Sequence, residues 1–282
     1  MKKKTAVLHS FFLSDMHDDA FFFPFFFDGK PVSGLSCGLS RGISCTLSAR
    51  NAGNMDVRET GRRNAFLQKA GVDPAKTFAC SQTHSQNVAV VDGRVADGGH
   101  SGGILCDADG LASYASGASG AADNVWLSVT VADCLPVYML NVETGAFSVV
   151  HSGWKGTGIV LNALKSMNAE AHPETVSAVL GPCICGDCYR VDEERRRVFD
   201  AQFGREAHSP SAEYPLGNVV KGDCLDLKAA NAALLANAGV RNIAYCENCT
   251  FTDERLGSFR REGNNFTKMM AVIGRSCHVH AL

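Results

Sequence analysis

The chain has 282 residues, a formal net charge of -2 and a sequence pI near 6.5. Hydrophobic residues make up 45% and charged residues 20%, a mixture typical of a globular protein with its own core. This balance argues against a basic face for nucleic acid or anionic lipid, so we expect neither a nucleic-acid partner nor a membrane partner. The sequence carries no indication of how many chains associate.

The N-terminal segment begins with Met1-Lys2-Lys3-Lys4 and a short apolar run, as a signal peptide does. Acidic residues between positions 15 and 19 interrupt that pattern, and a small-residue cleavage site is missing. The phenylalanine-rich stretch 21–27 contains Pro24, is too short to span a membrane, and predicts a buried strand. Without an export signal, the 12 cysteines indicate reduced thiols and a cytoplasmic location.

The remaining segments alternate between helical and strand patterns. A helix is predicted over 62–70, ending at Gly71, and a helix over 158–170 carries apolar residues on one face. Two further helices are predicted over 191–204 and 225–239. Strands are predicted over 77–80, 88–91, 125–132, 135–141, 146–151, 240–246 and 268–274. This alternation indicates an α/β architecture with helices covering mixed sheets.

Three metal-binding residue types lie where predicted strands end: His84 in "QTHS", Cys134 in "ADC" and His151 in "HSGW". Two imidazoles and one thiolate suit zinc, and three protein ligands leave a fourth tetrahedral position for a reactant. Their spacing alone favours a simpler interpretation, hydrogen-bonded core histidines and a cysteine that acts as a small hydrophobic residue.

Five motifs in order add to this reading: "SQTHSQNVAVV", "TVADCLPVYMLN", "VVHSGWKGTG", "LGPCICGDCYRV" and "GSFRREG". Together they resemble the laccase-domain family, once named multicopper polyphenol oxidases and related to bacterial YfiH, over residues 34–274. The resemblance implies a four-layer α/β/β/α sandwich with mixed sheets, as a single domain over residues 31–282. Residues 1–30 match poorly and form an N-terminal extension with the first strand. The resemblance also implies one metal ion, zinc with copper as a possible substitute, held by His84, Cys134 and His151.

The activity that the resemblance implies is purine nucleoside phosphorolysis, with adenosine deamination as a companion reaction. The partners would be phosphate and a purine nucleoside: adenosine, inosine, guanosine or methylthioadenosine. Lys155 lies in a glycine-flanked turn ahead of a predicted helix, where backbone amides would assist phosphate binding. Arg260 and Arg261 form a second cationic pair. Further candidates for binding phosphate or substrate are Arg41, Arg62, Gln82 and Asp109.

Asp133 precedes Cys134 directly, and we expect it either to transfer a proton during deamination or to orient a ligating imidazole. Asp109 is expected to line the cleft or to cap a turn. Two positions depart from the family pattern. Lys155 replaces an arginine and provides a point charge instead of a two-pronged donor, and Ser85 replaces a glycine.

Other interpretations stay open. Cys134 activated by His151 would suit a Cys/His hydrolase, including one that edits a peptidoglycan precursor. A copper polyphenol oxidase is disfavoured because that chemistry needs several coppers, and the chain has only 9 histidines. A non-catalytic metal-binding protein is the remaining class.

The cysteines in "CICGDC" and "CENC" could be imagined to form a zinc or iron-sulfur site with four thiolate ligands. These residues are Cys183, Cys185, Cys188, Cys246 and Cys249. Free thiols close to the cleft are the favoured interpretation, because C-x-C-x2-C is no standard ligand pattern.

Overall fold

A computed structural model describes residues 6–13, 19–23, 25–27, 30–31, 42–92, 103–113, 125–204 and 218–276. These residues form two large sheets. In spatial order, the seven-stranded sheet contains β1 (Val7–Phe11), β16 (Asn242–Cys246), β13 (Val176–Leu180), β11 (Leu135–Asn141), β12 (Phe147–Ser152), β9 (Gly110–Ser113) and β7 (Val88–Val90). Its pairs are mixed: β16 runs parallel to β1 and β13, whereas β11 runs antiparallel to β12 and β13.

The six-stranded sheet is also mixed. In spatial order it contains β2 (Ala20–Phe22), β5 (Gly42–Ser48), β17 (Met269–Ser276), β10 (Trp126–Val131), β6 (Thr77–Ser81) and β8 (Gly103–Asp107). The strand β17 pairs antiparallel with both β5 and β10, and β10 pairs parallel with β6. Two short ladders complete the strands: β3 (Phe26–Phe27) with β4 (Lys30–Pro31), and β14 (Val220–Lys221) with β15 (Cys224–Leu225).

The main core lies between the two sheets. Tyr138 and Phe147 of the seven-stranded sheet share one buried cluster with Phe78 and Leu127 of the six-stranded sheet. The Tyr138 hydroxyl donates a hydrogen bond to the carbonyl oxygen of Thr46 at 2.8 Å, which joins the sheets directly. Because successive strand residues point to opposite faces, the neighbours of Tyr138 on β11 pack on the other side of their sheet.

The described residues form five α-helices, of which the first four pack on the outer faces of the sheets. They are α1 (Thr60–Lys69), α2 (Ile159–Ser166), α3 (Glu193–Phe199), which continues into a π-helical turn (Asp200–Gly204), α4 (Leu227–Asn237) and α5 (Phe259–Glu262). Apolar residues of α2, α3 and α4 share a cluster with the outer face of the seven-stranded sheet. Phe66 and Leu67 of α1 pack against Trp126 and Met270 of the six-stranded sheet.

Local sequence explains where these helices begin and end. Asp192 and Asp226 cap α3 and α4 by accepting hydrogen bonds from the amides of Arg195 and Ala229. Gly239, just beyond α4, adopts a φ of 103°, a conformation that favours glycine. The predicted helices and strands are all present with small shifts of their ends, and the expected α/β fold with mixed sheets is confirmed.

The described residues among the first thirty take part in both large sheets. The strands β1 and β2 belong to different sheets, and Phe21, Phe23 and Phe25 are buried in the core between them. The phenylalanine-rich stretch therefore contributes to two short strands, β2 and β3, where one was predicted. Among the described residues, no helix is both long and apolar enough to cross a membrane.

Candidate metal centre

His84, Cys134 and His151 meet at one edge of the two sheets. His84 follows β6 and Cys134 follows β10, and because these strands are parallel neighbours their carboxyl ends point the same way. His151 lies near the end of β12 in the other sheet. One ligand atom from each residue lies within 4.8 Å of the other two. His151 is buried, Cys134 half-buried and His84 exposed, so the cluster is reached from solvent on the His84 side.

Asp109 holds both histidines. Its carboxylate accepts a hydrogen bond from Nδ1 of the His151 ring at 2.8 Å. The same carboxylate accepts the backbone amides of Thr83, His84 and Ser85 at 3.1, 3.0 and 2.6 Å. With Nδ1 occupied, the Nε2 atom of His151 is the nitrogen available to a metal. Asp109 is fully buried, so this is a rigid support for the loop and the ring together.

Ser85, directly after the first histidine of the cluster, bonds to Asp109 through both its side chain and its backbone. Its hydroxyl donates to the Asp109 carboxylate at 2.8 Å, in addition to its amide. The left-handed conformation in this loop belongs to His84 itself, with a φ of 60°. A glycine at position 85 is therefore not needed for the turn, and the serine adds a hydrogen bond that a glycine cannot make.

Asp133 supports the cysteine ligand from behind. Its Oδ1 atom accepts the hydroxyls of Thr250 and Ser258 at 2.6 and 2.7 Å, and its Oδ2 atom accepts the amide of Arg260 at 2.7 Å. Asp133 has a φ of 82°, which is rare for a residue with a side chain. These contacts position the turn that carries Cys134, whereas Asp109 is the carboxylate that orients an imidazole.

Gly153 provides the space above the cluster. A Cβ atom at this position would lie 3.1 Å from Sγ of Cys134 and 3.2 Å from Cδ2 of His84. At Gly156 a Cβ atom would lie 2.7 Å from the carbonyl oxygen of Ser85. The "GWKG" turn is thus packed onto the "QTHS" loop, and its two glycines allow that close approach.

The three side chains perturb one another electrostatically. Burial opposes ionisation of the Cys134 thiol, but the neighbouring imidazoles of His151 and His84 outweigh burial and lower the pKa to about 6. Burial likewise opposes protonation of His151, but the Cys134 thiolate and Asp109 raise the pKa of the ring to about 9. Without a metal, the site therefore holds a thiolate beside an imidazolium. A thiolate and two imidazoles form a donor set for a soft or borderline divalent metal.

Two of the predicted cations lie on segments next to this site, Lys155 in the "GWKG" turn and Arg260 at the beginning of α5. Lys155 is exposed, two residues beyond Gly153, and its Nζ atom lies 5.4 Å from the centre of the Trp154 ring. Arg260 is also exposed, and its guanidinium lies 5.6 Å from the centre of the Tyr189 ring while its amide is fixed by Asp133. Each cation thus rests on an aromatic platform.

Arg261 and Gln82 make internal contacts instead. The Arg261 guanidinium donates to the backbone carbonyls of Thr250, Phe251, Asp253 and Leu256 and to the Glu262 carboxylate. The Gln82 amide bonds to both backbone groups and the hydroxyl of Thr130. Both residues therefore organise the loops around the cluster.

Of the other two predicted arginines, Arg62 is among the described residues. Arg62 lies on the exposed side of α1 with its guanidinium beside Gly53, and Arg41 lies outside the described residues.

Sequence patterns alone missed two residues near the cations. Tyr189 supports Arg260 and contributes to the electrostatic surroundings of Cys134. It lies inside the "LGPCICGDCYRV" motif, which was the available signal. Arg195 on α3 lies 5.5 Å from the centre of the Trp154 ring, which also contacts Lys155. Its position in a charged helix gave no signal for this.

Comparison with known families matches residues 37–276 to the family described as multi-copper polyphenol oxidoreductase laccase. The chain belongs to this laccase family. One relative is adenosine deaminase RL5 of an unknown prokaryotic organism, 30% identical over 230 residues that cover 76% of this chain and 82% of the relative. A purine nucleoside phosphorylase of Corynebacterium glutamicum is 31% identical over 205 residues, covering 71% of this chain and 75% of the relative.

Solved structures share the fold of this laccase-family chain. YlmD from Geobacillus stearothermophilus aligns with a TM-score of 0.66 and 24% identity, covering 83% of this chain and 92% of that chain. A Bacillus licheniformis hypothetical protein, YfiH, aligns with a TM-score of 0.66 and 22% identity, covering 82% and 92%. The predicted family is confirmed. The relatives' names indicate an enzyme of the purine nucleoside phosphorylase and adenosine deaminase type.

Proposed function

We propose that this chain is a zinc-dependent purine nucleoside phosphorylase that also deaminates adenosine. Its substrates are phosphate and adenosine, inosine, guanosine or methylthioadenosine. Its products are a free base and ribose 1-phosphate, or 5-methylthioribose 1-phosphate when the substrate is methylthioadenosine. The observation that carries the proposal is the cluster of His84, Cys134 and His151, braced by Asp109 and open towards solvent. The names of the relatives supply the reaction class.

The residues of the cluster fit zinc. One thiolate and two imidazoles are typical zinc donors, and copper is the possible substitute. Gly153 leaves the space beside Cys134 and His84 free of a side chain, and Asp109 fixes the tautomer of His151. A bound zinc ion would supply a Lewis acid close to the reacting groups.

Phosphorolysis places the remaining demands on the chain itself. A phosphate oxygen forms a bond to C1′ of the ribose while the bond from C1′ to the purine nitrogen breaks, and the departing purine takes the electron pair and a proton. The negatively charged phosphate must be held by positively charged groups of the protein. Lys155 in the "GWKG" turn and Arg260 in α5 are exposed beside the cluster. Both can bind the phosphate oxygens, Lys155 as a point charge and Arg260 as a two-pronged donor.

Asp133 and Arg261 act in this proposal as positioning residues. Asp133 fixes the Arg260 amide at the beginning of α5, and Arg261 anchors the preceding loop through its carbonyls. Rigid support of this kind keeps the guanidinium of Arg260 near the metal ligands, where a misplacement of about 1 Å can cost a hundredfold in rate.

The test is an assay of zinc-loaded protein with adenosine, with and without phosphate. We expect adenine and ribose 1-phosphate only when phosphate is present, and inosine in either condition. Cys134→Ser should abolish both reactions, whereas Cys106→Ser, which removes an exposed thiol, should leave them unchanged. Release of neither adenine nor inosine by the zinc-loaded protein would contradict the proposal.

A Cys/His hydrolase is a second candidate, favoured by one specific arrangement. Asp109 bonds His151, and His151 neighbours the Cys134 thiolate, in the order orienting acid, base and nucleophile. Such a thiolate would attack an amide carbonyl, as in a peptidoglycan precursor. Zinc separates the candidates, because a sulfur bound to zinc is no longer a free nucleophile. Amide hydrolysis that rises when a chelator removes the metal would favour the hydrolase.

A further inference from the structure

Three more cysteines converge outside the cluster described above. The Sγ atoms of Cys185, Cys188 and Cys249 all lie within 4.8 Å of one another. Cys185 and Cys188 belong to the turn beyond β13, and Cys249 belongs to the loop beyond β16. Because β13 and β16 are parallel neighbours, their carboxyl ends deliver both segments to one edge of the sheet.

The backbone around these sulfurs is ordered by hydrogen bonds. The amide of Cys185 donates to Sγ of Cys249 at 3.3 Å, and the amide of Cys188 closes the turn onto the carbonyl of Cys185 at 3.0 Å. The Cys185 thiol and the amides of Phe251 and Thr252 also donate to Sγ of Cys249, and they hold the pKa of that thiol below its ordinary value. Amides directed at the Cys249 sulfur stabilise its thiolate, the form of cysteine that binds metal. Contact with Cys249 and burial raise the pKa of Cys185, and burial raises that of Cys188, so a metal ion must displace their protons.

We propose that Cys185, Cys188 and Cys249 form a second metal site, which binds one zinc ion through three thiolates and leaves the fourth position to water or a small ligand. At a zinc-sulfur distance of about 2.3 Å, tetrahedral thiolates lie about 3.8 Å apart, so only a small closure of the three sulfurs is needed. Cys185 and Cys188 are half-exposed, which gives an ion access from solvent. A disulfide would join only two of the three sulfurs and leave the third without its partner.

A buried positive charge lies near the proposed three-thiolate site. Lys228 is buried, donates to the carbonyl oxygen of Cys246, and interacts electrostatically with Cys249. Three thiolates and one divalent ion carry a net negative charge, which the ammonium group of Lys228 partly offsets.

The second site would stabilise the first from a distance. The Cys249 neighbour Thr250 donates its hydroxyl to Asp133, and the amide of Ile184 donates to the Asp133 carbonyl at 3.0 Å. A zinc ion held by Cys185, Cys188 and Cys249 therefore joins the two segments that flank the Cys134 turn. Its role is structural: it fixes the loops behind the candidate active site and binds no nucleoside.

The test uses reduced, metal-free protein carrying Cys134→Ser, which removes the sulfur of the first cluster. Cobalt(II) is added as a spectroscopic substitute for zinc. We expect one equivalent to bind with the intense near-ultraviolet absorption of a thiolate-cobalt bond, and zinc to displace it. Adding Cys185→Ser, Cys188→Ser and Cys249→Ser together should remove this absorption. Adding Cys106→Ser, which changes an exposed cysteine outside the site, should not.

A single substitution provides a test that does not depend on correct folding of the triple variant. Cys188→Ser alone, in the otherwise wild-type chain, should weaken binding of the second zinc at least tenfold in competition with a chelator, with an unchanged circular dichroism spectrum. Zinc content should fall from two ions per chain to one when the weaker site is emptied. Absence of thiolate-cobalt absorption in the reduced Cys134→Ser protein, or its persistence in the triple variant, would overturn the proposal. Neither measurement depends on nucleoside turnover. Both therefore test the second metal site even if the proposed function is wrong.

Discussion

The carboxylate of Asp109 accepts Nδ1–H of His151 at 2.8 Å and at the same time accepts three amides of the loop that presents His84. One buried carboxylate therefore orients the His151 imidazole and fixes the backbone that carries His84. Two metal ligands that are distant in sequence depend on a single side chain for their geometry, which makes position 109 the most sensitive support of the site.

Asp109→Asn should weaken zinc binding by about 10- to 100-fold, the usual effect of removing a carboxylate behind a ligating histidine. The asparagine keeps one acceptor but turns an amino group towards donors that the carboxylate accepted. The measurement is zinc affinity by chelator competition. Asp107→Asn is the matched control because Asp107 is an exposed acid two residues away, and equal losses in both variants would refute the special role of Asp109.

Gly153→Ala should lower zinc affinity while the protein stays folded. The new Cβ atom would lie 3.1 Å from Sγ of Cys134 and 3.2 Å from His84, so the ligands must shift by a few tenths of an ångström. Zinc content and the thermal unfolding midpoint of the metal-free protein are the two measurements. Gly61→Ala on α1 is the control, since a Cβ atom there meets nothing within 4 Å. An unchanged zinc affinity in Gly153→Ala would show that the cluster does not bind metal as arranged.

The Cys134 thiol should be alkylated by iodoacetamide in metal-free protein with a half-maximal rate near pH 6. Its folded pKa is depressed from 9.0 to about 6, so the reactive thiolate dominates above pH 6 and is lost as pH falls through that value. The thiolate owes this shift chiefly to the His151 imidazolium, whose folded pKa is raised to about 9, so the charged pair exists between about pH 6 and about pH 9 and is lost outside that window.

Peptide-resolved mass spectrometry separates Cys134 from the other thiols. Cys80 provides an internal reference, since burial raises its pKa to about 12 and should keep it unreactive at neutral pH. Saturating zinc should protect Cys134. Alkylation that rises only near pH 9, or that zinc leaves unchanged, would contradict the thiolate assignment.

Adjacent arginines should respond differently to substitution. Arg261→Ala removes a guanidinium that anchors four carbonyls and should destabilise the fold by about 2 to 3 kcal/mol, as the loss of a hydrogen-bonded charged group does. Arg260→Ala should leave stability nearly unchanged and raise KM for phosphate, because that side chain is exposed over Tyr189. Denaturant unfolding and phosphate titration measure the two effects. Reversed outcomes would exchange the roles given to the two residues.

The sequence predicted seven strands that the structure contains, the helices α1 to α4 and the three residues of the cluster, but it did not predict β1, β5, β8, β9 or β13. Residue type and strand-end position made His84, Cys134 and His151 candidates, and the resemblance of the five motifs favoured them as metal ligands. The parallel pairing of β6 with β10 brings the turns of His84 and Cys134 to one edge. The role of Asp109 was not predictable in this way. Its hydrogen bonds to His84 and His151 span 25 and 42 residues, and only the pairing of β9 with β7 and β12 brings these groups together.

The cysteine-rich segments show the same limit. Cys185 and Cys188 form a visible C-x2-C pair, but their third partner follows another strand, and the parallel pairing of β13 with β16 is needed to place it. Arg260 and Arg261 were assigned one role because they share a charge. Successive residues of an α-helix point about 100° apart, so the two side chains at the beginning of α5 have different surroundings.

The central position of β17 has a consequence for synthesis on the ribosome. Its neighbours β5 and β10 are translated much earlier, and neither can complete its ladder until residues 269–276 emerge from the exit tunnel. Until then the nascent polypeptide exposes two unpaired strand edges, which are surfaces for chaperone binding or for wrong association between chains.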